Sequence, residues 1–236
     1  MPESFLIREE MLLGCDSLEK LKSAHVAVFG LGGVGSWCAE ALARSGVGRM
    51  TVIDSDEYSL SNINRQAGAL NSTIGKNKAE VMAIRLRDIN PNIKVTPLVK
   101  LYNAETSDSF FEEKYDFVAD CIDLVSCKIN LIETCLTRQI PIISALGTGN
   151  KKDARMLEIS DISKTSGDSL ARVIRKELRA RGINHLPVVF SKELPMESNQ
   201  FETPPPGRRS IPGSLVWVPA SAGFLITQYI VQELIK

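Results

Sequence analysis

The chain has no Cys-x-x-Cys pair, and no cysteine follows Cys135. Tetrahedral zinc usually takes its ligands from closely spaced pairs, so Cys15, Cys38, Cys121, Cys127 and Cys135 do not form a structural zinc pattern. The odd count, with no charged-then-apolar export segment over Met1–Glu10, points to a reducing compartment, and a cytoplasmic protein is expected. Excess charge is lacking too, with 28 Lys and Arg against 28 Asp and Glu. That balance excludes a strong global field for nucleic acid and leaves room for a local basic patch. No internal repeat is visible, and no membrane span is expected because no uninterrupted apolar run is long enough for one. The most apolar stretch, Ser214–Ile235, has Pro219 early and Gln228, Gln232 and Glu233 late. It predicts a buried strand, Leu215–Val218, followed by a core helix.

What is present fits a folded α/β protein. A chain of 236 residues, 44% hydrophobic and 24% charged, is neither disordered nor fibrous and can bury a sizeable core. From His25 onward, short β-branched runs alternate with longer helical patterns. The predicted strands are His25–Phe29, Met50–Asp54, Ile93–Val99, Tyr115–Cys121 and Ile140–Ser144, with helices over Val34–Ser45, Lys76–Asn90 and Ser126–Arg138. This is a Rossmann-like, doubly wound, mostly parallel sheet, whose ligands sit at the carboxyl ends of the strands. Beyond Gly149 the alternation weakens to a strand near Met156–Ile159, a helix over Asp168–Arg181, the segment Leu186–Ser191 and a loop holding Pro204–Gly207. The expected organisation is an N-terminal arm and core over 1–149, a C-terminal elaboration over 150–213 too poor in apolar residues for a core of its own, and a segment over 214–236 that completes the core.

Gly30-Leu31-Gly32-Gly33-Val34-Gly35 lies directly after the first predicted strand and directly before a helix. Glycines at Gly30, Gly32, Gly33 and Gly35 allow a tight turn and close approach of backbone N–H groups to a phosphate, and the helix N-terminus adds partial positive charge. Asp54 ends the second strand, where an acid can accept hydrogen bonds from a ribose. To this point a nicotinamide-linked oxidoreductase fits as well as an ATP enzyme. Asp54-Ser55-Asp56 then runs into Ser61-Asn62-Ile63-Asn64-Arg65-Gln66, and Gly75-Lys76-Asn77-Lys78-Ala79 opens the next helix. Hydride transfer needs no such gathering of amides, guanidinium and ammonium, whereas a triphosphate site does. Arg65 and Lys78 can neutralise charge that builds on the α-phosphate and the leaving pyrophosphate.

Gly30-x-Gly-Gly-Val-Gly, Asp54-x-Asp, Ser61-Asn-x-x-Arg65-Gln66, Gly75-x-x-Lys78-Ala79 and Asp120-Cys-Ile-Asp123 resemble, in order and spacing, the ubiquitin-activating-like superfamily of adenylating enzymes, over residues 5–146. The resemblance implies that Asp54 holds the ribose, that Asp56, Asn62, Arg65, Gln66 and Lys78 surround the triphosphate, and that Asp123 holds magnesium beside the reacting carboxylate. Arg65, Lys78 and Asp123 are thereby the catalytic candidates. Leu124 stands where the family often has asparagine, so no amide contact to the nucleotide is expected there. Arg8, in Phe5-x-x-Arg8, resembles the arginine that reaches the phosphates of a neighbouring subunit, which implies a homodimer.

The second half separates the branches of that superfamily. Asp161-Ile-Ser-Lys164-Thr165, Asp168-Ser-Leu-Ala-Arg172-Val-x-Arg175-Lys176-x-Leu-Arg179, Val189-Phe-Ser191-x-Glu193-x-Pro195 and Gly213-Ser214-x-x-x-Val218-Pro219-x-x-Ala222-Gly223 resemble the tRNA threonylcarbamoyladenosine dehydratase family. That family uses ATP to activate the threonyl carboxylate of the modified adenosine next to the anticodon, and ring closure follows with net loss of water. A nucleophile within the substrate needs no enzyme cysteine, in keeping with the missing downstream thiol. Some members carry a cysteine near Val188–Val189; this chain does not. The resemblance implies ATP and Mg2+, leaves room for a monovalent cation near Leu146–Thr148, and implies tRNA as partner with a cysteine desulfurase system as a further one. Arg172, Arg175, Lys176 and Arg179 share one side of the predicted helix and, with Arg208 and Arg209, are the tRNA-binding candidates, whereas His185 is read as a loop residue. The rival assignments are an adenylyltransferase for the C-terminus of a ubiquitin-like sulfur carrier, whose members commonly have the zinc pairs lacking here, and a nucleotide-binding scaffold without chemistry.

Overall fold

A computed structural model of the chain describes residues 4–199, 201 and 211–236. At its centre, β1 (His25–Phe29) is buried at every position. Val26 and Val28 point into one apolar core while Ala27 and Phe29 point into another, the period of two that a strand covered on both faces requires. Around it stand β2 (Arg49–Ile53), β3 (Lys94–Leu98), β4 (Phe117–Asp120) and β5 (Ile142–Ala145), all parallel. With β6 (Leu157–Asp161) and β7 (Pro187–Ser191) the sheet order is β3-β2-β1-β4-β5-β7-β6, and β6 alone runs antiparallel. The chain thus changes direction across the sheet between β1 and β4, which makes the crevice at their carboxyl ends the ligand position of a doubly wound fold. Phe29 is level with Ile53 and with Asp120, so Gly30, Asp54 and Cys121 leave the sheet side by side.

One core packs α2 (Gly35–Arg44), α3 (Lys78–Ile89) and α6 (Trp217–Leu234) on the Val26 face through Leu42, Met82, Leu86, Ile226 and Ile230. The other packs α4 (Val125–Thr137) and α5 (Ser169–Ala180) on the Phe29 face through Leu131, Ile132, Ile174 and Leu178. Helices α6 and α2 touch backbone to backbone: a Cβ on Gly223 would lie 2.6 Å from the Val34 carbonyl oxygen. Residues beyond Gly149 contribute β6 and β7 to this same sheet.

The predicted strand Leu215–Val218 is corrected. Residues 211–215 form no strand and Trp217 begins α6, with Pro219 in its first turn. A proline is tolerated there because the first turn's N–H groups have no partner within the helix, so Pro219 opens the helix rather than separating it from a strand. An N-terminal helix, α1 (Ile7–Ser23), has no counterpart among the predicted elements. Its Met11 and Leu12 face solvent and Gly14 breaks it at φ 77, which removes the apolar stripe by which a helix is recognised. Among the described residues no helix is long and apolar enough to cross a membrane.

Candidate active site

The glycine turn is shaped by contacts that only glycine permits. Gly30 has φ +86, and a Cβ there would meet the Cys121 carbonyl oxygen at 2.8 Å. A Cβ on Gly35 would lie 1.8 Å from the Gly30 carbonyl oxygen, because α2 starts directly over the end of β1. Gly33 lies against Pro219 of α6, while a Cβ on Gly32 would meet nothing within 4 Å among the described residues. Gly32 therefore marks the open side of the turn. Ser36 braces it from behind, its hydroxyl donating to the Gly32 carbonyl at 2.7 Å and accepting from the Ala67 N–H at 3.0 Å.

Asp54 ties this turn to the end of β2. Its Oδ2 accepts from the Leu31 N–H at 2.7 Å and its Oδ1 from the Asp56 N–H at 2.9 Å. Burial pushes the carboxyl above the usual carboxylate value, against the pull of the Lys78 ammonium and the two backbone N–H groups. Lys78 opens α3 with its side chain 7% exposed and its ammonium 3.0 Å from Asp56 Oδ2 and 4.0 Å from Asp54 Oδ1. A buried cation is thus held over two carboxylates at the rim of the turn.

The loop carrying the amides closes the other side. Asn62 Oδ1 accepts from the Ser59 N–H at 3.2 Å and caps a short 3-10 turn, Leu60–Asn62. Arg65 is half-buried, its Nη1 donating to the Ser61 carbonyl at 2.7 Å and to Asn64 Oδ1 at 2.9 Å, and burial lowers its pKa without removing its charge. The Trp37 indole donates to the Arg65 carbonyl at 2.9 Å. Gln66 is buried with Oε1 unpartnered among the described residues. An unpaired buried acceptor costs roughly 1–3 kcal/mol, a cost removed only by a water or ligand group that can donate to it, while the amide N–H groups of the same side chain are the ones a phosphate could accept from.

Sequence reasoning missed several residues that hold this arrangement. Asp120, the last residue of β4, is 0% exposed and pairs with the equally buried Lys128 of α4 at 2.6 Å; its second oxygen accepts from the Ile122 N–H at 3.1 Å. The pair sets the loop that carries Asp123, which is itself exposed. Its signal was a lysine within an otherwise apolar helix face. In the elaboration, buried Lys151 donates to Asp168 Oδ2 at 2.9 Å and to the Ser191 carbonyl at 3.2 Å. Asp168 also caps α5 by accepting from the Ala171 N–H, and Glu193 accepts from the backbone N–H groups of Lys152 and Asp153. Strand ends β5 and β7 and the start of α5 are thereby fastened beside the site.

The structure brings Gly30–Gly35, Asp54, Asp56 and Lys78 together and sets Arg65 against Gly33, with the Arg65 Cγ 3.5 Å from where a Gly33 Cβ would lie. Arg8 stands exposed on α1, and no hydrogen bond or ion pair among the described residues joins it to them. Of the α5 cations, Arg172, Lys176 and Arg179 are exposed, whereas Arg175 turns back to donate to the Thr165 carbonyl at 2.8 Å and to its hydroxyl. Arg208, Arg209 and the Pro204–Gly207 loop lie outside the described residues.

A glycine turn at the switch point, an acid level with it on the next strand, and a guanidinium and an ammonium at the rim define a nucleotide-binding α/β protein equipped for a polyphosphate. The model of the ThiF family matches residues 7–190, and the chain belongs to that family. It is similar to the tRNA threonylcarbamoyladenosine dehydratase of Bacillus subtilis, 42% identical over 97% of this chain and 94% of that protein. A solved structure of the Escherichia coli tRNA N6-threonylcarbamoyladenosine dehydratase in complex with ATP superposes with a TM-score of 0.86 at 34% identity, covering 95% of this chain and 91% of that one. The Escherichia coli molybdopterin-synthase adenylyltransferase is more distant, 36% identical over 55% of this chain and 51% of its own length.

Proposed function

We infer that this chain uses ATP to adenylate the threonyl carboxylate of threonylcarbamoyladenosine next to the anticodon of tRNA, and closes it to the cyclic form with net loss of water. The observation that carries this is similarity along nearly the whole length to a dehydratase, against about half of the chain for a carrier-activating relative.

The site residues supply the parts of that reaction. Backbone N–H groups on the open Gly32 side of the turn face the phosphates, and Asp54 retains lone pairs for the ribose hydroxyls. A carboxylate oxygen of the substrate attacks the α-phosphorus and pyrophosphate leaves. Arg65 and Lys78 neutralise the charge that gathers on the α-phosphate and the leaving group, Arg65 from a half-buried position and Lys78 from a buried one that it shares with Asp56. Asn62 and Gln66 donate amide hydrogens to the phosphate oxygens. In the second step a nucleophile of the substrate's own carbamoyl group attacks the activated carbonyl and loses its proton. AMP departs with the original carboxylate oxygen and the nucleophile's proton passes to solvent, so the substrate loses the elements of water while ATP is cleaved to AMP and pyrophosphate. No enzyme thiol and no sulfur donor enters these two steps, so a cysteine desulfurase partner would act outside them.

Magnesium fits this donor set only as the ATP complex. Among the described residues no group of three or more His, Cys, Asp or Glu could hold a metal, and Asp123 offers a single exposed carboxylate at the β4 end. Mg2+ prefers one or two carboxylates together with phosphate oxygens and water, and when bound it screens phosphate charge. A monovalent cation beside Leu146–Thr148 would compete for Asp168, whose Oδ2 already holds Lys151 and lies 2.8 Å from where a Gly147 Cβ would be. The enzyme is a homodimer in which Arg8 reaches the partner's phosphates, a reading supported by the 72% and 87% exposure of Met11 and Leu12 on the same helix, and it works with its tRNA in the cytoplasm. Arg172, Lys176 and Arg179 bind tRNA phosphates, while Arg175 supports the Thr165 turn beneath them.

The test is incubation with ATP, magnesium and tRNA bearing threonylcarbamoyladenosine, followed by digestion and mass spectrometry of the nucleosides. A nucleoside lighter by one water, formed with stoichiometric AMP, is expected. If the modified nucleoside returns unchanged while AMP is formed only on adding a small protein ending in Gly-Gly, the chain belongs functionally to the carrier-activating branch.

A further inference from the structure

Trp217 begins the most apolar helix of the protein and yet is 50% exposed, and the adjacent Leu215 and Val216 are each 38% exposed. Its indole N–H donates to the Lys152 carbonyl at 2.7 Å. The polar edge of the ring is therefore occupied, and what remains in water is hydrocarbon, which is costly to leave exposed. The other tryptophan makes a contrast: Trp37 also satisfies its N–H, on the Arg65 carbonyl, but rests its ring on Phe224 with centroids 6.0 Å apart.

The position of Trp217 connects it to the nucleotide site. Pro219, two residues further along α6 and on the opposite side of the helix from Trp217, lies against Gly33 of the phosphate turn, so the helix that carries the ring is fixed on that turn. Three residues before Trp217, the Ser214 carbonyl accepts from Asn64 Nδ2 at 3.0 Å, next to Arg65. The ring thus turns to Lys152 of the elaboration, on a helix whose start is tied to the Arg65 loop through Ser214 and to the phosphate turn through Pro219. Resting on the functional reading above, the substrate is a purine whose carboxylate substituent has to reach Arg65, and the threonylcarbamoyl chain between carboxylate and base lets the base lie over the elaboration at Lys152. Proteins read unpaired loop bases by stacking them on exposed aromatic rings.

We propose that Trp217 is a substrate-binding residue, the platform on which the adenine of the modified nucleotide stacks while its carboxylate sits at Arg65. Lys152 holds the ring through its carbonyl and fixes the angle at which the base enters. A phenylalanine would retain a stacking face, and an alanine would remove it.

Two measurements test this. In steady-state conversion of modified tRNA, Trp217→Ala is expected to raise KM for tRNA about tenfold and Trp217→Phe to change it little, the scale of one base stacked on one ring. Modified tRNA added without ATP is expected to quench tryptophan emission in the unaltered enzyme and not in Trp217→Phe, where Trp37 alone emits. Unchanged KM for tRNA in Trp217→Ala, or a quench that persists in Trp217→Phe, overturns the proposal. So does a Trp217→Ala protein whose association state shifts in sedimentation while its KM holds, which assigns the ring to a second copy of the chain. If the unaltered enzyme fails to convert the nucleoside at all, the functional reading falls instead, and the quench decides Trp217 separately.

Discussion

Replacing Lys128 by methionine removes the counter-charge from a carboxylate that has no access to water. Asp120 and Lys128 are both 0% exposed and 2.6 Å apart, and the Ile122 N–H is the other donor to Asp120. Breaking a buried ion pair by deleting one partner costs about 3–5 kcal/mol, because the remaining charge is left desolvated. Domains of this kind are stable by roughly 5–15 kcal/mol in all, so Lys128→Met is expected to be folded but marginal. Replacing both members by apolar residues of similar volume, Asp120→Leu with Lys128→Met, removes the stranded charge and is expected to recover most of the loss. Urea unfolding followed by circular dichroism measures both, with the slope checked for constancy. The double variant is further expected to form AMP more slowly, because the Ile122 N–H loses its acceptor and the loop bearing Asp123 loosens. A single substitution costing less than about 1 kcal/mol, the scale of an exposed pair, or a double variant no steadier than the single one, would contradict the desolvation account.

Four other outcomes are expected. Arg65→Ala and Lys78→Ala are each expected to slow ATP-dependent AMP release by about a hundredfold or more, the scale of losing one preorganised charge, with far-ultraviolet dichroism unchanged. Gly35→Ala places a Cβ 1.8 Å from the Gly30 carbonyl oxygen, so it should abolish ATP binding in calorimetry or prevent folding; wild-type affinity would contradict the geometry. Glu40 is buried, which alone would raise its carboxyl, but hydrogen bonds from Arg85 and Arg44 win and hold it below its ordinary value of 4.5. A depressed carboxylate stabilises the fold above its unfolded value and loses that contribution as pH falls through the folded one, so Glu40→Gln should flatten the decline of melting temperature below about pH 4.5. Replacing Arg172, Lys176 and Arg179 together by alanine should weaken tRNA binding and reduce the slope of log affinity against log salt by about two to three, roughly one for each phosphate left without its cation; an unchanged slope removes α5 from the RNA surface.

The parallel core was readable because its strands are buried on both faces. His25–Phe29 holds the apolar run Val26–Phe29 closed by glycine, and its limits match β1. Other strands shifted by a few residues, β4 to Phe117–Asp120 and β5 to Ile142–Ala145, since strand ends depend on which N–H groups find partners. Helix α1 escaped because its Met11 and Leu12 face outward, and the end of the chain was misread because proline is ambiguous between breaking a helix and opening one. Helical spacing grouped four cations on α5 but could not show that Arg175 alone folds back onto Thr165, a residue ten positions earlier.

Amino-acid order alone was enough to point to a nucleotide and to the turn proposed to hold it, because glycine spacing, the acid after β2 and the cations after it are local chemistry written in local order. It was also enough for the ATP-using branch and the dehydratase resemblance, through motifs spread over both halves. How these pieces bear on one another emerged only in three dimensions. The parallel register sets Gly30, Asp54 and Cys121 side by side, α6 returns from the far end of the chain to press Pro219 on Gly33, and β4 and α4 bury Asp120 against Lys128. Contacts between residues scores of positions apart depend on how helices cross a sheet, and no spacing within the chain encodes a distance of that kind.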